Sequence, residues 1–301
     1  MAGYIPAMNK LDRTKRIQVL QALCEGVSMR AASRLADVSY NTVCSLLAEA
    51  GPACEAFHDE KVRNIKSARV QCDEIWSFCY AKARNVEAAK APPEEAGDLW
   101  TWLGLDADSK LIIGYHCGGR DAGHAHEFMQ DVASRLANRV QLTTDGHKAY
   151  LSAVEDAFGA AVDYAMLVKL YGETPGPAGR YSPAECIGAK PQRVEGRPDP
   201  KHVSTSYVER QNLNLRMGIR RFTRLTNAFS KSAVAHYNMM SLYVVFHNFC
   251  RDHKTLRMTP AEAAGLVTSA MTVSDIIDLI DARAEPPKKR GSYKPRQPKE
   301  G

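Results

Sequence analysis

Residues 68–82 read ARVQCDEIWSFCYAK, an apolar run with two adjacent carboxylates, Asp73 and Glu74, set inside it. β-Branched and aromatic residues over this length predict a strand. Alternation of faces then puts one of the two carboxylates against the core, where it needs a cation or a purpose. Downstream, LWTWLGLDADSKLIIGYHCGG (99–119) predicts a hairpin turning at Asp106 to Lys110, and AHEFMQDVASRLAN (125–138) an amphipathic helix. The strand VQLTTDG (140–146), the helix KAYLSAVEDAFG (148–159) and the strand VDYAMLVKLYG (162–172) follow. The order β-β-β-α-β-α-β predicts an α/β unit with a mixed sheet.

Residues 172–203 are rich in Pro, Gly and charge and read as a loop insertion. Helices are expected over about 205–229 and 231–251, with a short one ending at Leu266 and a brief amphipathic one over 272–283. The Pro- and Lys-rich residues 285–301 read as a disordered basic tail.

Upstream of the strand the pattern is helical. Asp12 is placed to cap a helix whose apolar positions are Ile17, Leu20 and Leu23 and whose end is Gly26. Ser28 caps a second, with Ala31, Ala32 and Leu35 on its inner face, and Ser39 a third that runs to Gly51. Asp37 stands at the sharp turn, where a left-handed backbone is needed, and Val38 plugs it. SMRAASRLADVSYNTVCSLL (28–47) therefore has the parts of a helix-turn-helix, with Tyr40, Asn41, Thr42 and Ser45 facing outward toward base edges or phosphates. A small helical bundle used for dimerisation has the same pattern.

A chain of 301 residues suggests two folded units. The expected division is a helix-turn-helix domain with a charged connector (1–68), a catalytic domain with its insertion at 172–203 (69–268), and a short helix with the basic tail (269–301). Charge is unevenly spread. The net charge is +6, yet residues 1–72 carry +3, residues 190–231 carry +7, residues 283–301 carry +5, and the remainder carries −9. Basic segments around an acidic block suit a polyanionic partner held about a carboxylate site. No stretch is apolar enough to span a bilayer and no leader pattern opens the chain, so a soluble, cytoplasmic protein with no membrane partner is expected. The eight cysteines lack any metal-site spacing and read as buried thiols.

Three carboxylates have a definite order. Asp73 lies in the first strand, Asp145 ends the strand VQLTTDG at the edge where α/β sheets gather ligands, and Glu209 lies in the helix STSYVERQNLNLRMGIRRFTR (204–224). Arg216, seven residues after Glu209, shares its face. Taken singly, Asp145 before Gly146 is an ordinary turn. Together they match a metal-dependent phosphoryl-transfer site on a ribonuclease-H-like sheet, where two hard divalent ions about 3.5–4 Å apart take oxygen ligands.

The phrases CDEIWSF (72–78), TTDGHKAY (143–150) and YVERQNLNLR (207–216) resemble the three catalytic motifs of DDE insertion-sequence transposases. The similarity is closest to the insertion sequence one family and covers roughly residues 69–250. It implies that Asp73, Asp145 and Glu209 are a metal-binding catalytic triad for Mg2+, with Mn2+ as an alternative, and that two ions are held. It also implies that Arg216 takes the place of the family's basic residue. Fold and activity would then be a ribonuclease-H-like domain that cleaves transposon ends and joins the 3′ hydroxyl to target DNA. The partners would be double-stranded DNA and further copies of the chain, in a bacterial cytoplasm at the nucleoid. The N-terminal zinc-binding cysteine cluster of many family members has no counterpart here.

Further cations are placed to meet phosphate: His147 and Lys148 beside Asp145, and Arg210, Arg220, Arg221 and Arg224 beside Glu209. The HAHE string (124–127) reads as a solvated helix start, because histidines two apart do not share a helix face. Two other outcomes are compatible with the same residues: a non-catalytic DNA-binding derivative of a transposase, and a nuclease that only hydrolyses.

Overall fold

The computed structural model describes residues 10–172, 186–223 and 226–284. Strands β1 (Arg69–Cys79), β2 (Gly97–Asp106) and β3 (Ile112–Gly118) form an antiparallel meander. On the other side of β1, β4 (Val140–Asp145) and β5 (Val162–Tyr171) add in parallel, and β6 (Cys186–Glu195) closes that edge antiparallel to β5. The order β3-β2-β1-β4-β5-β6 is that of a ribonuclease-H-like mixed sheet. β1 is central because its apolar residues Val70, Cys72 and Ile75 are buried to 1% or less.

Helices cover both faces. α4 (Ala122–Arg135) and α5 (Ala149–Phe158) pack together on one, and α6 (Ser206–Gly218) crosses β1 and β2 on the other. Behind α6 lies α7 (Ala233–Val245), which continues as a wider turn over Phe246–Cys250. Its Asn248 side chain bonds both the N–H and the C=O of Ile112, so this helix end is stitched to the sheet. A short helix α8 (Pro260–Ala263) is closed by a reciprocal cap between Thr259 and Glu262.

The N-terminal helices are α1 (Arg13–Cys24), α2 (Met29–Leu35) and α3 (Tyr40–Lys61). Asp12, Ser28 and Ser39 cap them as expected, and Asp37 has φ 49 at the turn. Two expectations need correction. Leu35 is 73% exposed, and Ala36, four residues after the buried Ala32 and so on its side of the helix, takes the inner position. The third helix does not stop at Gly51 but runs through Pro52 to Lys61. Gly51 is there for close packing, since a Cβ would stand 2.3 Å from the Asn238 side chain of α7. α3 packs on α7, and one hydrophobic core runs from Val19 and Leu47 through Ile75 to Phe249.

The last helix, α9 (Val273–Arg283), lies where the amphipathic pattern puts it and joins this same layer. It packs on α1 and α3, with Asp278 paired to Arg13 at 2.7 Å and Asp281 to Arg16 at 2.8 Å. A further correction concerns the insertion. Residues 186–195 are strand β6, although they bury almost nothing and include Pro191. Such exposed, charged edge strands have the composition of a loop. Residues 173–185 of the expected loop and the tail 285–301 lie outside the described residues.

Candidate active site

β1 and β4 pair only over Arg69–Cys72 and Gln141–Thr144, after which the two parallel strands part. Asp73 is the first residue of β1 beyond that pairing and Asp145 the last of β4, so both reach the cleft where α/β sheets bind ligands. Asp73 and Glu74 point to opposite faces of the sheet. Glu74 is the one turned inward, with a side chain 1% exposed. Its cation is Arg120, from the turn between β3 and α4, whose Nε donates to Oε1 at 2.7 Å. The hydroxyl of Tyr150 on α5 donates to Oε2 at 3.0 Å.

Because the strands splay, carboxylates from both faces meet at their ends. Asp73, Glu74 and Asp145 each offer an oxygen within 4.8 Å of the others, and Arg120 also lies 3.8 Å from Asp145. Burial raises Asp73 to about 7, helped by the negative charges of Asp145 and Glu74. Glu74 is raised by burial and by Asp145, against the lowering effect of Arg120.

α6 is fixed over this cleft by side chains of β1. Gln71 Oε1 accepts from the N–H groups of Tyr207 and Val208 at 2.9 and 3.1 Å, which holds the helix start. One turn on, Asn212 Nδ2 donates to Asp73 Oδ2 at 2.8 Å, while its buried Oδ1 has no hydrogen-bond partner within the chain. Glu209 is not in the acidic group. It accepts from Thr205 and is paired with Lys169 of β5 at 2.8 Å. The Lys169 charge also acts on Asp73. Asp73 and Asp145, with the orphan amide oxygen of Asn212 beside them, are hard oxygen donors, and that set fits an Mg2+-like ion. Arg216 is half-buried two turns beyond Glu209.

The remaining sequence candidates spread over several surfaces. Tyr40, Asn41 and Ser45 are exposed at the start of α3, and Thr42 is half-buried with its hydroxyl 2.8 Å from that of Ser39. His147 sits against Trp102 and Tyr150, with its backbone N–H on Asp145 at 3.0 Å, and Lys148 beside it is exposed. Burial and the Arg120 charge lower the His147 pKa. Arg210 faces away from the acidic cleft, into a cavity of about 710 Å³ shared with Lys110 and Arg251.

Arg220 is exposed, but Arg221 turns inward and donates to Met29 Sδ at 2.9 Å, beside Tyr40 and Cys44. It therefore does not join an outward phosphate-binding face. Arg224 lies outside the described residues. Arg120, Tyr150, Lys169 and Asn212 are the participants that sequence reading missed. Arg120 and Lys169 stand in no motif, Tyr150 and Asn212 lie within TTDGHKAY and YVERQNLNLR, and each of the four arrives from a different element.

No family model and no curated protein matches the chain. Among solved structures it is similar to a pre-cleavage Mos1 transpososome, at 14% identity and TM-score 0.23, covering 55% of this chain and 62% of that one. It is similar to the Mos1 strand transfer complex at 15% identity and TM-score 0.24, covering 80% and 78%. A piggyBac transposase synaptic complex with hairpin DNA is similar at 8% identity and TM-score 0.35, covering 95% and 77%. The chain thus spans 62% of the length of the first of these proteins. The class here is set by strand order: a ribonuclease-H-like domain with an acidic cleft at the β1–β4 splay.

Proposed function

We propose that this chain is a DDE-type transposase, similar to those of the insertion sequence one family, which cleaves transposon ends and transfers the 3′ hydroxyl strand into target DNA. The observation that carries this reading is the meeting of Asp73 and Asp145 where β1 and β4 part, under a helix that bears Glu209 and is tied to Asp73 by Asn212. Two Mg2+ ions, with Mn2+ as an alternative, would supply activation of the attacking oxygen and stabilisation of the leaving one. Asp73, Asp145 and Glu209 would hold them, and Arg216 would serve as the basic partner on α6.

Glu74 is a positioning residue, because both its oxygens are already engaged by Arg120 and Tyr150. His147, Lys148, Arg210 and Arg220 are assigned to phosphate, and Tyr40, Asn41, Thr42 and Ser45 to recognition of the element ends. Cutting two ends in concert calls for a multimer. No helix among the described residues is long and apolar enough to cross a membrane.

The test is an assay with duplexes carrying the ends of the element, Mg2+ and a supercoiled target. Asp73→Ala, Asp145→Ala or Glu209→Ala should each abolish cleavage and joining while DNA binding persists. Activity within a few-fold of the parent in any of the three would overturn the triad. Cleavage without joining of a supplied 3′ hydroxyl end would identify a hydrolytic nuclease, and binding without either reaction a non-catalytic derivative.

A further inference from the structure

The HAHE string contributes to a second cluster that its sequence spacing conceals. His116, on edge strand β3, lies eight residues before His124 in the chain, yet its Nε2 is 2.8 Å from Nδ1 of His124. Glu127, one turn along α4 from His124, brings Oε2 to 3.7 Å from the same Nε2. Each of the three offers one ligand atom within 4.8 Å of the others. His126 takes no part; it pairs with Asp156 at 3.1 Å.

Two features show that the backbone is shaped around the His124 ring. A Cβ on Gly118 would stand 2.4 Å from that ring and one on Gly119 2.9 Å from it, so only glycine lets the imidazole lie against the end of β3. The ring's other nitrogen, Nε2, faces Asp121 Oδ2 at 3.7 Å. Ligand bonds of about 2.0–2.1 Å in a tetrahedral site separate two nitrogens by about 3.3 Å. The imidazoles need to open by only about half an ångström to reach that spacing.

We propose that His116, His124 and Glu127 bind one borderline transition-metal ion of the Zn2+ class, completed by solvent. Two imidazoles and one carboxylate select such an ion over the hard ions suited to an all-oxygen cleft. The ion would close the turn from β3 to α4. That turn also carries Arg120, which holds Glu74 at 2.6 Å, and its Gly119 carbonyl accepts from Trp102 Nε1 at 3.0 Å. The site is therefore a clip that positions Arg120 over the acidic cleft. It is independent of the reaction assigned to that cleft.

The experiment uses the full chain, stripped with a chelator and titrated with Co2+ in excess Mg2+ to cover the carboxylates. One equivalent of Co2+ should bind with the visible absorption of a low-coordinate nitrogen and oxygen site and be displaced by one equivalent of Zn2+. His116→Ala and His124→Ala should weaken binding at least 100-fold, while Asp73→Asn leaves it unchanged. Zn2+ should also slow hydrogen exchange at the amides of residues 118–123. If the histidine variants do not fold, X-ray absorption of the Zn2+-loaded parent decides: two imidazole shells support the site, and an all-oxygen or sulfur-containing shell overturns it. Absence of a Co2+ spectrum in the parent, or a spectrum insensitive to both histidines in folded variants, overturns it equally.

Discussion

Lys169 Nζ on β5 lies 2.8 Å from Glu209 Oε1 on α6, so the carboxylate assigned as third in the triad is held by a cation of the sheet instead of by the acidic group. A positive charge there competes with a divalent ion for the same oxygen. Lys169→Met should therefore lower the Mg2+ concentration that half-saturates a thermal shift, by several-fold. Weaker Mg2+ binding in the variant would show that Lys169 supports the ion site.

Asp73 should make stability depend on pH. Its pKa in the folded chain is raised to about 7, by burial first and then by Asp145 and Glu74, whereas an unfolded Asp titrates near about 4. Below about pH 4 both states hold the proton and stability is full; between about 4 and 7 the unfolded chain releases it first, and stability falls. In chelator, the parent should lose Tm across that window, and Asp73→Asn should melt higher than the parent at about pH 8. Melting curves on either side of the window measure this. A variant that melts lower at the alkaline end would show that the anion is favoured by its surroundings.

Glu74 offers a structural counterpart. Removing it leaves the buried Tyr150 hydroxyl without its acceptor, while Arg120, 38% exposed, stays solvated, and losing a buried hydrogen bond to a charged group costs about 1.5–3 kcal/mol. Glu74→Ala should lose stability on that scale in urea unfolding of the full chain, and Glu74→Gln less, since it retains an acceptor. Loss of activity in Glu74→Gln with unchanged stability would instead place Glu74 among the metal ligands.

Two positions on α3 should fail in different ways. Asn41 is exposed near the helix start, and Asn41→Ala should reduce preference for element ends by about 1–3 kcal/mol with little effect on folding. Leu47 is 1% exposed, and Leu47→Ala should cost about 2–5 kcal/mol through the cavity it leaves. Competition binding against random duplex reads the first, and unfolding of the full chain the second. An Asn41→Ala chain with unaltered end preference but a changed oligomeric state would favour a dimerisation role for these helices.

The strand RVQCDEIWSFC, the hairpin turn at Asp106 to Lys110 and the caps at Asp12, Ser28 and Ser39 are local matters, and the sequence by itself determined them, because strand propensity and capping chemistry act within a few residues. It also determined that one of Asp73 and Glu74 stands against the core and needs a cation or a purpose. That the cation is Arg120, 46 residues away, was decided by the packing of the β3–α4 turn over β1. The same holds for β6, whose exposed residues show no alternation because only β5 tells them to extend. It holds for α9, which the chain leaves at its end but which Arg13 and Arg16 draw into the N-terminal layer. His116 joins His124 and Glu127 only across a strand and a helix. Contacts of this kind depend on which elements the sheet order makes neighbours, and that order is fixed by burial of the whole core, not by any one stretch of chain.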